Sequence, residues 1–133
     1  MNKPEKKPSQ YAPLVLAYIG DAVYEVYVRT RVIAEHEDMP AYKLHRHTIE
    51  YVKAHAQSNS MTVLEPLLSE AELAVYKRGR NAKSATVPKN ADLTDYRRAT
   101  GFEALVGYLY LGKEEKRLEE IMSIAYESAK NCC

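Results

Sequence analysis

Apolar residues recur along this chain at helical spacing, and polar turns divide them into a few long segments. Residues 14 to 33 carry apolar or small side chains on nearly every turn, with Pro13 suited to a helix's first turn and Arg29 and Arg31 near its end. At about 1.5 Å per residue such a helix is about 30 Å long, enough to cross a domain. Apolar on nearly all sides, it reads as a central element. Glu35 to Pro40 is a polar turn. Residues 41 to 60 read as one helix, with Leu44, Thr48, Val52 and Ala56 on one face and His47, Tyr51 and His55 on another. Residues 61 to 68 read as a short helix interrupted by Pro66. Ser69 and Glu72 have the spacing of a capping box, opening a helix that runs to about Arg78 and ends at Gly79. GRNAKSATVPKN is a loop by its Gly, Asn, Ser and Pro content. Asp92 or Thr94 caps the next helix, which carries Glu103 and ends at Gly112. Glu114 to Lys130 is amphipathic, with Leu118, Ile121, Met122 and Ala125 inward. No period-two alternation and no Asn-Gly hairpin signal occurs. The expected fold is all-α with six or seven helices. Residues 1–10 are expected to form a disordered tail and residues 11–130 one domain.

Charge sharpens this picture. The formal total is only +1, yet the segment from Lys77 to Arg98 holds seven basic residues against two acidic ones. A local +5 on an otherwise mildly acidic body predicts a confined anion-binding face. Cys132 and Cys133 are adjacent, so they form neither a disulfide framework nor a four-ligand zinc site. No apolar run follows the basic start MNKPEKKPSQ, and the longest uncharged run, residues 8 to 20, is short of a membrane span. A soluble cytoplasmic protein with no membrane partner is expected.

Candidate chemistry rests on two acids inside the most apolar stretches, Asp21 in LVLAYIGDAVYEVYVR and Glu103 in ATGFEALVGYLYLG. An isolated carboxylate buried there costs several kcal/mol unless a positive partner meets it. One such partner is Mg²⁺, which needs only one or two carboxylates besides water. The other is an internal ion pair with Arg97 or Arg98. Gly20, before Asp21, and Gly107, one turn after Glu103, would let the two helices approach closely. Glu25 is expected to pair with Arg29 at i,i+4 rather than join Asp21. His45, His47 and His55 fit no usual zinc spacing and read as surface histidines. Tyr18 and Tyr24 flank Asp21 and read as packing residues.

YIGDAVYEVYVR and FEALVGYLYL resemble the two signature helices of the ribonuclease III family. Separated by KRGRNAKSATVPKN and YRRATGFEAL, they resemble its smaller bacterial form, Mini-ribonuclease III, over roughly residues 12 to 125. The resemblance implies a ribonuclease III-like helical catalytic domain acting as a homodimer. It implies Mg²⁺-dependent cleavage of both strands of double-stranded RNA, with Mn²⁺ able to substitute, leaving 5′-phosphate and 3′-hydroxyl ends. By position, Asp21 and Glu103 match the metal-binding, catalytic acids. The substrate it implies is a stem of the 23S ribosomal RNA precursor. The chain departs from longer family members at Leu14, Ala17 and Thr100, where those carry further acids. No double-stranded-RNA-binding domain is expected after residue 130, so the catalytic dimer must grip phosphate itself. Arg78, Arg80, Asn81, Lys83, Ser84 and Lys89 are the expected RNA contacts. The missing acids leave open a non-catalytic RNA-binding dimer, and the Arg97/Arg98 pairing leaves open a helical interaction protein.

Overall fold

Six α-helices and two 3-10 turns make up the described residues, 2–83 and 87–131, of this computed structural model, and no strand occurs among them. The helices are α1 (Pro13–Glu35), α2 (Ala41–Val52), α3 (Ala54–Leu64), α4 (Glu70–Asn81), α5 (Leu93–Leu111) and α6 (Glu115–Asn131). The 3-10 turns are Pro8–Gln10 and Glu65–Leu67.

The central helix is α5 rather than α1. It buries Ala99, Phe102, Ala104, Leu105, Val106 and Leu109 and packs against α1, α3, α4 and α6. Helix α1 buries the stripe Leu16, Ala17, Gly20, Tyr24, Val28 and Val32 and leaves its opposite side in solvent. Its breadth of apolar side chains therefore overstated its burial. Tyr24 meets Phe102 edge to face at 4.8 Å, fixing α1 on α5 from within the core. The inward residues of α6 are the expected Leu118, Ile121, Met122 and Ala125, joined by Tyr126. Tyr126 stacks on Tyr51 at 4.1 Å and carries the Arg31 guanidinium on its ring.

Local signals act as their chemistry requires. Ser69 Oγ accepts from the Glu72 amide at 3.2 Å, and Glu72 Oε1 accepts from the Ser69 amide at 2.9 Å, a complete capping box. Asp92 caps α5 by accepting from the Asp95 amide at 3.0 Å, and Gly112 ends it.

The segment 41 to 60 differs from the expected single helix. The backbone leaves the helical region at Lys53 (φ −62°, ψ 152°) and α3 begins at Ala54. No Gly or Pro marks the break, and the apolar spacing continues across it. Residues 61–64 complete α3, and Pro66 sits in the 3-10 turn that follows. Gly79 does not stop α4, which continues to Asn81. It is buried against α5, where a Cβ would stand 2.7 Å from Ala104 Cβ and 2.9 Å from Gly101 Cα. The missing side chain serves helix contact here, not a helix end. Pro8–Gln10, assigned from composition to the tail, forms a turn beside α5, and Arg78 reaches the backbone oxygens of Ser9 and Tyr11 over long contacts of 3.5 and 3.4 Å.

Candidate active site

Where α1 crosses α5, backbone touches backbone. A Cβ on Gly20 would stand 1.8 Å from the carbonyl oxygen of Glu103, and one on Gly107 would stand 1.9 Å from that of Leu16. Each glycine seats the opposing helix, so no larger residue fits at either place. Asp21 follows Gly20 directly and Glu103 lies across the crossing, which brings the two carboxyl groups together.

Asp21 is exposed and Glu103 is half-buried. This corrects the expectation that both are sunk in apolar surroundings: Asp21 lies beside the solvent face of α1. Glu103 feels the full consequence. Its carboxyl is pushed up to about 8, first by burial and then by the charge and hydrogen-bond contact of Asp21, against the pull of a Gln57 hydrogen bond. Among the described residues neither acid has an ion-pair partner. Arg98 instead donates to Ser58 Oγ at 3.3 Å and Thr62 Oγ1 at 3.0 Å, while Arg97 lines a separate cleft. The internal ion pair is thereby excluded. Two facing carboxylates that lack a basic partner fit a hard divalent cation, whose attraction for both offsets their repulsion. Among the described residues no group of three His, Cys, Asp or Glu side chains is placed to hold a metal ion, and the Glu25 charge acts on Glu103 only as a minor addition to that of Asp21. The chain thus offers two acidic ligands and leaves other positions around an ion to water or substrate oxygens. Thr100 is turned inward on its own helix, its hydroxyl donating to the Tyr96 carbonyl at 2.9 Å.

Sequence reasoning missed Gln57. It is buried, its Nε2 donates to the Val52 carbonyl at 2.9 Å, and the same nitrogen reaches Glu103 Oε2 at 3.5 Å. Nothing in the pattern singled out this polar residue on α3. Glu25 pairs with Arg29 at 2.9 Å as expected. Tyr24 is core, whereas Tyr18 is 82% exposed.

The expected RNA contacts divide. Arg80 and Asn81 join Glu65, Tyr76, Thr94, Arg97 and Arg98 around an open cleft of about 350 Å³. Arg78, occupied with the backbone of residues 9 and 11, is not among the cleft residues. Lys83 and Lys89 are exposed, and Ser84 lies outside the described residues, as do Cys132 and Cys133. His55 holds Asp95 at 2.8 Å and His47 stacks on His36 at 4.5 Å.

The model of the Ribonuclease III domain matches residues 14–114. The chain is 53% identical to Mini-ribonuclease 3 of Clostridium tetani over 126 residues, covering 92% of this chain and 83% of that one. It is 50% identical to Mini-ribonuclease 3 of a Thermoanaerobacter species over 116 residues, covering 87% and 81%. A crystal structure of a Fusobacterium nucleatum protein superimposes with a TM-score of 0.81 at 28% identity, covering 92% of this chain and 98% of that one. No helix among the described residues is long and apolar enough to cross a membrane. The glycine-seated crossing of α1 and α5 and these similarities lead to one conclusion: the chain belongs to the ribonuclease III family, with the Mini-ribonucleases 3, and is an endoribonuclease.

Proposed function

We propose that this endoribonuclease cleaves double-stranded RNA as a cytoplasmic homodimer, with Mg²⁺ held by Asp21 and Glu103, and that it processes a stem of the 23S ribosomal RNA precursor. The observation that carries the reading is the meeting of two carboxylates with no ion-pair partner among the described residues. When bound, the ion supplies a lowered water pKa and neutralises charge building on the phosphate. Mn²⁺ prefers the same oxygen donors and substitutes for it. The chain's part is to hold two acidic oxygens at a rigid helix crossing, open to solvent on the Asp21 side. The arginines of the cleft, with Lys83 and Lys89 beyond it, supply phosphate contacts that read duplex shape rather than sequence.

An apolar stripe on α1 supports the dimer. Val15, Tyr18, Val26 and Ile33 share one face beside Asp21 and are 47%, 82%, 65% and 53% exposed. Pairing two copies across this stripe buries it and sets two carboxylate pairs near each other, one for each RNA strand.

Cleavage of a duplex RNA with and without Mg²⁺ tests the proposal. Asp21→Asn is expected to abolish cutting while leaving RNA binding largely intact, and wild-type turnover by this variant contradicts the assignment. Replacing Arg80 and Lys83 together with alanine is expected to weaken binding and flatten its salt dependence by up to about two phosphate contacts. An unchanged affinity and slope would remove the basic segment from the interface.

A further inference from the structure

We infer that Gln57 is a positioning residue of the active site, holding the Glu103 carboxylate toward Asp21 without neutralising it. The inference rests on the proposed divalent-ion site and names a residue that serves it. Three features point the same way.

The first is the anchor. The break at Lys53 leaves the Val52 carbonyl at the end of α2, and Gln57 Nε2 donates to it at 2.9 Å. The side chain is thus tied to backbone, not to another mobile side chain. The second is the reach. The same nitrogen faces Glu103 Oε2 at 3.5 Å, so one carboxamide links the α2–α3 junction to the acid on α5. Nε2 stands between two acceptors, which sets the orientation of the amide. The third is the vacancy in its own bonding. Gln57 is 3% exposed, and its Oε1 has no hydrogen-bond partner among the described residues. A residue kept for packing alone would avoid this cost, since methionine fills the same space with no polar atom.

The choice of a neutral amide has a chemical reason. Lysine or arginine at this place would pair with Glu103 and compete with the ion. Leucine would leave the carboxylate free to turn away from Asp21. Glutamine restrains the acid and preserves its charge for the cation, as outer partners of metal ligands generally do.

The test compares wild type, Gln57→Met and Asp21→Asn by thermal melting over a range of Mg²⁺ concentrations, and by kcat and KM on a duplex RNA. For Gln57→Met, the Mg²⁺ concentration giving half the stabilisation is expected to rise about tenfold or more. kcat should fall by a comparable factor at saturating RNA and limiting Mg²⁺, with KM for RNA little changed. If Gln57→Met melts below the assay temperature, Gln57→Asn replaces it, keeping the amide but drawing it back from Glu103 by one methylene. The same losses are expected there. A wild type that Mg²⁺ stabilises, beside a Gln57 variant with the same Mg²⁺ dependence and kcat, overturns the role of Gln57 alone. Wild type and Asp21→Asn showing the same Mg²⁺-induced shift in melting temperature, whatever their difference without Mg²⁺, would overturn the ion site and this inference together.

Discussion

Two glutamates of this molecule are withdrawn from water in opposite company. Glu72, on α4, receives Arg117 on both oxygens, Nε to Oε2 and Nη2 to Oε1, each at 2.8 Å, while capping its own helix. The Arg117 guanidinium holds its carboxyl below the usual range. Arg117 also donates to the Leu67 carbonyl at 2.8 Å and pairs with Glu120, closing the turn before α4 onto α6. Glu103 faces another acid and a neutral amide, and burial first, then Asp21, pushes its carboxyl up to about 8. A partnered acid that lowers its pKa stabilises the fold. An acid set against its like costs stability, and that imbalance is what the proposed cation would relieve. Burial raises both carboxyl groups, and the neighbour sets the outcome: Arg117 outweighs it at Glu72, whereas Asp21 adds to it at Glu103.

The comparison can be broken most sharply by activity. Glu103→Gln is expected to lower Mg²⁺-dependent cleavage of duplex RNA by more than the roughly 100-fold that loss of an outer partner costs. Glu72→Gln, assayed below its melting temperature, should retain most of its kcat. Similar kcat losses in both variants would show that the two acids do not differ in role. Next in size is Gly20→Ala, whose Cβ meets the Glu103 carbonyl at 1.8 Å. Forcing α1 and α5 apart should cost about 3 kcal/mol in chemical unfolding and misplace both carboxylates. A variant of unchanged stability would mean the crossing relaxes freely.

The pH dependence separates the acids by sign. The raised Glu103 group contributes stability that is fully present below its ordinary 4.5 and lost as pH rises through about 8. Without Mg²⁺, wild type should lose stability between pH 5 and 8 relative to Glu103→Gln, by roughly 3 kcal/mol after discounting for solvent at this half-buried site. Saturating Mg²⁺ should remove the difference in slope. Parallel curves without Mg²⁺ would show that neither burial nor Asp21 raises the Glu103 carboxyl. The lowered Glu72 group behaves conversely, its contribution being present above 4.5 and lost as pH falls through its depressed value. At pH 8 without Mg²⁺, Glu72→Gln should therefore destabilise by about 2 kcal/mol while Glu103→Gln stabilises. Shifts of the same direction in the two melting curves would undo the contrast.

Much of the fold was legible because its signals are local. The capping box at Ser69, the Asp92 cap, the Gly112 end and the inward face of α6 each depend on residues a few positions apart, and each is where the pattern put it. The glycines beside Asp21 and Glu103 were legible too, since a small residue next to an acid in an apolar helix has few other uses. The break at Lys53 was not, because nothing at Val52, Lys53 or Ala54 opposes a helix. It yields only to the packing of α2 and α3 around other elements. Gln57 was illegible for the same reason: a glutamine on a helix is ordinary until a broken helix end and a distant carboxylate are placed on either side of it. Gly79 misled because its value lies in a contact with α5, not in its backbone freedom.

Sequence alone determined the all-helical class, most helix ends, the two acids and the small residues that let them meet, since each follows from side-chain chemistry over one or two turns. Tertiary structure decided which helix is central, which face of α1 stays in solvent, and which acids find an arginine. It also decided that Gln57 stands against Glu103. These choices depend on what another helix presents across several ångströms, and charge and packing act across that gap whatever the distance along the chain.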